Sequence, residues 1–203
     1  MKKLFIVLFL FSYATFSQVK PAADITYEIA NKESQLIWQD VPFAGKPHEG
    51  TIQLTSGTLV TAANGKAKGG KFVINMKSIN SVNPNTGEIN KGVVEHLHSD
   101  DFFSTMRFPL STFTITKIIP ATKPSEYTIT GNLTLKGISN VITFPAIIIM
   151  EGTQLKAQAA VTIDRTLWGI TYKSYSFLSQ MKDDLIPNNI KLTMNLVFSK
   201  AIN

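Results

Sequence analysis

The chain has 203 residues, no cysteine and a formal net charge of +6 at neutral pH. Without cysteine it has no disulfide framework, no thiolate metal site and no cysteine nucleophile. The lysines and arginines are scattered instead of gathered into one patch with aromatic neighbours, which argues against a nucleic-acid partner. The length fits one domain with a full hydrophobic core.

The amino terminus, MKKLFIVLFLFSYATFSQ, has the layout of a secretory signal. Two lysines precede an apolar run from Leu4 to Leu10, which is shorter than the roughly 20 apolar residues of a membrane span. We predict a signal peptide over residues 1–17, cleavage near Ser17 and Gln18, and one mature domain over residues 18–203. The mature protein would be periplasmic or secreted. Its remaining positive charge would suit peripheral contact with an anionic membrane surface.

Alternation of apolar and polar residues with a period of two dominates the rest of the chain, as in Ile190, Leu192 and Met194. Such strands have one dry and one wet face, which is typical of antiparallel sheets. The predicted strands are 24–30, 33–43, 49–61, 69–78, 110–119, 126–136, 139–150, 153–164 and 188–199. If the first segment joins the second, the count is about eight. Alternation alone leaves both a sandwich and a barrel open.

Residues 165–187 form a long connection without this alternation. Four aromatic residues lie in it: Trp168, Tyr172, Tyr175 and Phe177. Connections of this length are uncommon in a compact β domain and are usually functional. We therefore expect this segment to contribute to the site.

The second interruption, residues 80–106, contains the dense polar stretch EHLHSDDFF. We predict a short helix from Val93 to His98 that ends near Ser99, with Asp100 and Asp101 as capping or turn residues. On a helix, residues two apart point about 200° away from each other. His96 and His98 would therefore not bind one metal ion together, and a zinc site would also need a third ligand.

Catalytic motifs are absent from the sequence. Adjacent carboxylates such as Asp100 and Asp101 face opposite sides of an extended segment and cannot share a proton. The sequence has no Gly-x-Ser-x-Gly elbow, no His-Glu-x-x-His motif and no phosphate-binding glycine loop. We predict that the protein is not an enzyme and needs no metal and no cofactor.

Three separated segments carry a resemblance to a known family: HLHSDDFFSTMRFPLSTFTI, GNLTLKGISNVITFPA and VTIDRTLWGI. In this order they closely resemble the YceI-like family of exported polyisoprenoid-binding proteins. The matching residues are His96, Leu97, Ser99, Asp101, Phe102, Phe103, Phe108, Pro109 and Phe113, then Gly131, Leu133, Leu135, Lys136, Gly137, Phe144 and Pro145. The resemblance implies an all-β fold: an extended, lipocalin-like antiparallel barrel of about eight strands with one or two short helices in its long connections.

The same resemblance implies that the apolar barrel interior holds a polyisoprenoid or quinone-like lipid, for carriage or storage. We expect the lipid to contact Trp38, Phe72, Ile74, Phe102, Phe103, Phe113, Ile115, Trp168 and Tyr172. We expect a polar mouth at His96, Asp101 and Arg165. Plain core packing is the alternative for each apolar residue, because cores and pockets share a composition. For the three polar residues, the alternative is a local hydrogen-bond or salt-bridge anchor for the long connections.

Two other functions stay open at this point. The first is an enzyme that acts on a bound lipid and uses His96 and Asp101 for acid–base chemistry. The second is a stress-response or interaction protein whose interior is only a core and takes no specific ligand.

Overall fold

The computed structural model describes residues 23–40, 48–83, 85–174 and 185–201. Nine strands and one α-helix organise this part of the chain. The strands are β1 (Ile25–Ile29), β2 (Gln35–Asp40), β3 (Glu49–Thr61), β4 (Ala67–Asn75), β5 (Leu110–Pro120), β6 (Glu126–Leu135), β7 (Ile138–Glu151), β8 (Gln154–Asp164) and β9 (Asn189–Lys200). The helix is α1 (Lys91–His98), and short 3-10 turns cover Met76–Ser78 and Arg165–Trp168.

The strands close into an antiparallel barrel with eight positions. β1 and β2 both pair with β3 and with β9: β2 lies beside the start of each partner, and β1 lies beside its end. The two segments therefore occupy one position in the barrel, as the sequence suggested. Closure through the β3–β4 pairing leaves no open sheet edge among the described strands. The predicted all-β barrel is confirmed.

The break between β1 and β2 is bridged by a side chain. The Ser34 hydroxyl accepts a hydrogen bond from the Val197 amide at 3.0 Å and lies 3.3 Å from the Val197 carbonyl. The Ala30 amide also donates to the Val197 carbonyl, at 2.8 Å. Ser34 thus pairs the backbone groups of β9 at the point where no strand lies beside them.

Most strand bounds agree with the predictions to within two residues, and one needs correction. The predicted strand 69–78 ends at Asn75, because Met76–Ser78 turns into a 3-10 segment. The Asn75 side chain accepts a hydrogen bond from the Lys77 amide at 3.1 Å, and the Met76 amide donates to the Pro109 carbonyl at 2.9 Å. Such a side-chain bond competes with the strand ladder and ends β4 early.

Helix α1 begins two residues before the predicted start. The Asn90 side chain accepts a hydrogen bond from the Val93 amide at 3.3 Å and so caps the first turn at Lys91. The predicted end is confirmed, since the helix stops at His98 and Ser99 is the C-cap. The predicted signal peptide, residues 41–43 of the predicted second strand, Tyr175 and Phe177 lie outside the described residues.

The hydrophobic core fills the barrel because alternate residues of every long strand point inward. Phe198 is fully buried and packs edge-on against Phe72, whose ring also stacks on Phe113. Gly131 makes room for the Phe113 ring: a β-carbon there would lie 2.5 Å from that ring and 2.6 Å from the Thr114 carbonyl oxygen. No helix among the described residues is both long and apolar enough to cross a membrane.

Candidate functional site

The barrel interior contains two adjoining cavities, of about 310 Å³ and about 90 Å³. The larger one, the helix-end cavity, lies beneath α1 and is lined by that helix, by strand residues and by the 165–187 connection. The smaller one is the mid-barrel cavity, and all the described residues that line it belong to strands. Leu36, Ile74, Leu133 and Leu192 line both cavities. The two cavities therefore adjoin within one largely apolar interior, and the larger has the size of a small ligand pocket.

Seven of the nine predicted lipid contacts line this interior. In the helix-end cavity these are Trp38, Ile74, Phe102 and Phe103. In the mid-barrel cavity they are Phe72, Ile74, Phe113 and Ile115. The structure thus brings together residues that lie far apart in the chain, on β2, β4, β5 and the turn after α1.

Trp168 and Tyr172 are not among the described residues that line either cavity. Trp168 is almost fully buried, and its indole donates a hydrogen bond to the Leu133 carbonyl at 3.0 Å. The 3-10 turn at Arg165–Trp168 directs this indole against the backbone of β6. Trp168 therefore packs behind Leu133, a residue of the cavity wall. Tyr172 contacts the cavity-lining His96, with ring centroids 4.8 Å apart.

The turn after α1 places two phenylalanines in the helix-end cavity. The Phe103 amide donates to the Leu97 carbonyl at 3.2 Å, and the Ser104 amide donates to the Ser99 carbonyl at 2.8 Å. These bonds fold the chain back beneath the helix, so that Phe102 and Phe103 are buried and pack edge to face. The two phenylalanines are buried because the backbone hydrogen bonds to Leu97 and Ser99 reverse the chain directly after α1.

The same turn leaves Asp101 exposed to solvent and away from both cavities. Asp101 is thus not among the described residues that line the cavities, and its place in a polar mouth stays a prediction. Asp100 and Asp101 act as turn residues, and the Ser99 backbone amide, not their side chains, caps the helix by donating to the Glu95 and His96 carbonyls. The Asp100 carbonyl in turn accepts a hydrogen bond from the Lys136 ammonium group at 3.2 Å.

Arg165 is the buried cation of the helix-end cavity. None of its surface is exposed, and its guanidinium lies over the Phe102 ring, 5.1 Å from the centroid. It donates hydrogen bonds of 2.6–3.0 Å to four backbone carbonyls, those of Ile170, Tyr172, Ile186 and Pro187. Burial lowers the pKa of Arg165 from its ordinary value, and nearby Asp164 acts in the opposite direction. The group remains charged, because a guanidinium keeps its proton in proteins.

Arg165 therefore lies in the cavity wall and not at an open mouth. Its hydrogen bonds tie residues 170–172 to residues 186–187, the two described ends of the long connection. This arrangement supports the alternative considered for Arg165, an anchor for that connection.

His96 lines the helix-end cavity from α1 and contacts Phe102 edge-on, with ring centroids 5.2 Å apart. Its Nε2 atom is buried and has no hydrogen-bond partner among the described residues. A buried polar atom without a partner costs about 1–3 kcal/mol. His98 lies on another side of α1, where its Nδ1 is 2.8 Å from the Thr105 hydroxyl. Among the described residues no group of three His, Cys, Asp or Glu side chains could hold a metal ion.

Sequence reasoning missed one polar pair in the helix-end cavity. His48 Nδ1 lies 2.9 Å from one carboxylate oxygen of Asp40, and the His48 amide donates to the other at 2.8 Å. Both residues line the cavity; the Asp40 side chain is 13% exposed and that of His48 is 53% exposed. No motif indicated this pair, because only the adjacent ends of β2 and β3 bring the two residues together.

Comparisons with known proteins agree with this architecture. The sequence model of the YceI-like domain matches residues 27–198. A UPF0312 protein from Shewanella denitrificans is 36% identical over 87 residues, which are 43% of this chain and 42% of that protein. Protein YceI from Salmonella arizonae is 38% identical over 73 residues, 36% of this chain and 35% of that protein. The matched segments thus span about a third to two fifths of these curated relatives.

Two solved structures share the fold. BcnA from Burkholderia cenocepacia superposes with a TM-score of 0.68 at 19% identity, covering 83% of this chain and 98% of BcnA. A domain from Saccharophagus degradans, described as polyisoprenoid binding and implicated in plant cell wall breakdown, superposes with a TM-score of 0.59 at 14% identity. That match covers 87% of this chain and 99% of the domain. At these identities the likeness concerns the fold alone.

Proposed function

This chain belongs to the YceI-like family, and we propose that its barrel binds a polyisoprenoid or a related long-chain amphiphilic lipid, for carriage or storage. The observation that carries the proposal is the pair of adjoining cavities inside the barrel, with aliphatic and aromatic side chains around nearly all of their walls. The fold shared with a domain described as polyisoprenoid binding adds support.

Apolar contact alone is enough to hold such a ligand. Each methylene group that leaves water contributes about 0.8 kcal/mol. An isoprenoid chain that enters from the helix-end cavity and reaches the mid-barrel cavity buries many such groups without needing a charged contact. Methyl-branched chains also suit an interior lined by Leu, Ile and Phe side chains.

Binding without chemistry is the form of this function that the geometry favours. The enzyme alternative pairs His96 with Asp101, but Asp101 is exposed outside both cavities while His96 faces inward. A general acid–base pair must reach the same reacting atoms. The predicted signal peptide over residues 1–17 makes the periplasm the proposed compartment, where an amphiphilic lipid needs shelter from water.

Native mass spectrometry of the full chain expressed in its own host tests this function. We expect a bound species that organic extraction identifies as an isoprenoid or another long-chain lipid. Repeated preparations without any lipid, together with failure to bind added prenyl lipids, would overturn the proposal and favour a protein whose interior is only a core.

A further inference from the structure

His96 Nε2 is the buried side-chain polar atom of the helix-end cavity that lacks a partner among the described residues. Its ring is held between two aromatic neighbours: Phe102 meets it edge-on at 5.2 Å, and Tyr172 is tilted against it at 4.8 Å. Because both contacts are apolar, they fix the imidazole without satisfying its nitrogen. The ring is oriented, and one hydrogen-bonding position remains for a molecule in the cavity.

The other buried polar side chains that the described part of the chain contributes to this cavity already make hydrogen bonds. Arg165 uses four of its five N–H groups on backbone carbonyls. Both carboxylate oxygens of Asp40 interact with His48. The Trp38 indole donates to the Asn80 carbonyl at 2.8 Å. Unlike these groups, His96 Nε2 has no hydrogen-bond partner among the described residues, and it belongs to a ring that lines the cavity.

We propose that His96 Nε2 hydrogen-bonds the terminal polar group of the lipid and that this group is uncharged, such as a hydroxyl or a carbonyl. This inference rests on the proposed lipid-binding function. A neutral imidazole Nε2 accepts a hydrogen bond in one tautomer and donates one in the other, so either kind of head can be bound.

A phosphate or carboxylate head fits this cavity poorly. An anion taken out of water needs several donors or a paired cation. Among the described residues that line the cavity, Arg165 has one remaining N–H group, and the carboxylate of Asp40 would repel an anion. An uncharged head needs only one or two hydrogen bonds, and His96 Nε2 can make one of them.

The position of His96 also sets the direction of the ligand. His96 lies on α1 at one end of the interior, while the residues known from the described ranges to line the mid-barrel cavity are all apolar. The head group therefore lies beneath α1, and the tail runs past Leu36 and Leu133 towards Phe72 and Phe198.

Three probes with the same prenyl chain test the proposal on the full-length protein: geranylgeraniol, geranylgeranyl phosphate and the matching hydrocarbon. Dissociation constants come from displacement of a fluorescent prenyl probe. We expect the alcohol to bind about tenfold more tightly than the hydrocarbon, and more tightly than the phosphate. This comparison uses the unaltered protein and does not depend on any variant folding.

Substitutions at His96 then test whether the preference for the alcohol depends on Nε2. His96→Phe keeps an aromatic ring but removes the nitrogen, so its affinity for the alcohol should fall about tenfold while its affinity for the hydrocarbon stays the same. His96→Gln, which restores a polar group, should recover part of the loss. The matched control is His98→Phe on the same helix, since His98 lies at Thr105 and outside both cavities; it should change neither affinity.

The possible outcomes distinguish a failure of the head-group proposal from a failure of the proposed lipid-binding function. If all three probes bind alike, or if the phosphate binds most tightly, the lipid-binding function stands and the proposed head-group selection is overturned. If His96→Phe binds the alcohol as the unaltered protein does, His96 is not the contact. If none of the probes binds, both proposals are overturned.

Discussion

The helix-end and mid-barrel cavities are built from different parts of the chain. Every described residue that lines the mid-barrel cavity belongs to a strand and is apolar. The helix-end cavity adds α1, the turn after it and the 165–187 connection, and with these elements come His96 and Arg165. The regular sheet thus makes a generic site for a hydrocarbon tail, while α1, the long connection and the Asp40–His48 pair at the ends of β2 and β3 supply the polar chemistry. Differences in ligand between relatives should therefore arise in the connections.

The largest effect is expected at Arg165. Arg165→Met removes a fully buried cation that donates to four backbone carbonyls, and it should lower the free energy of unfolding by about 3–5 kcal/mol. Arg107→Met is the matched control, since Arg107 is exposed and should cost no more than about 1 kcal/mol. Urea unfolding of both variants measures the difference. A loss at Arg165 no larger than that at Arg107 would show that the connection does not depend on this anchor.

Truncating Phe103 and Phe198 compares the contribution of a side chain in each cavity to stability. Phe103→Ala should lower the free energy of unfolding of the lipid-free protein by less than about 3 kcal/mol, because its ring faces the larger cavity and has fewer protein neighbours to lose. Phe198→Ala, in the tighter mid-barrel region, should cost the full core penalty of about 3–5 kcal/mol.

Denaturant unfolding with and without lipid measures, for each variant, the stability of the lipid-free protein and the added stability that lipid binding gives. Phe103→Ala should also change lipid affinity or chain-length preference. A full core penalty at Phe103 together with unchanged lipid binding would mean that Phe103 is core and not a wall of the site.

Gly131 tests how tightly the mid-barrel region is packed. Gly131→Ala places a methyl group 2.6 Å from the Thr114 carbonyl oxygen and 2.5 Å from the Phe113 ring, so we expect a loss of about 1–3 kcal/mol. Gly69→Ala is the matched control on β4, because a β-carbon there meets nothing within 4 Å. Thermal melts that show equal stability for the two variants would contradict this packing.

Trp168 should affect stability but not binding. Trp168→Phe removes the indole hydrogen bond to the Leu133 carbonyl and should cost about 1–2 kcal/mol. Because Trp168 is not among the described residues lining either cavity, lipid affinity should stay unchanged. If probe displacement shows a change in affinity while the melting curve stays the same, Trp168 contacts the lipid after all.

Much of the barrel could be predicted because strand alternation is a local signal. The strand 49–61 was predicted with the bounds that the structure has, and α1 was displaced only at its start. Phe72 and Phe113 were predicted to point inward by the same periodicity, and both line the mid-barrel cavity.

The site itself was harder to predict, since it depends on non-repeating backbone. Trp38 and Trp168 are equally aromatic in the sequence, but only the strand residue lines a cavity; a 3-10 turn directs the other away. The Asp40–His48 pair forms where two strand ends meet, and the four carbonyls that bind Arg165 come from the described ends of a long connection. Neither arrangement has a spacing that a sequence could reveal.

The central claim is that both cavities form one site with the lipid tail in the mid-barrel region. Ala159 lines that region, whereas Ala160, next to it on β8, is exposed. Ala159→Leu should therefore fill space that the tail needs, and Ala160→Leu is the matched control.

The decisive measurement is the affinity of the unaltered protein, Ala159→Leu and Ala160→Leu for prenyl alcohols of increasing chain length. We predict that affinity rises with each isoprene unit until the interior is filled, because every added methylene leaves water. The rise should stop at a shorter chain in Ala159→Leu and at the original length in Ala160→Leu. Affinity that is independent of chain length, or the same limit in all three proteins, would contradict a tail site inside the barrel.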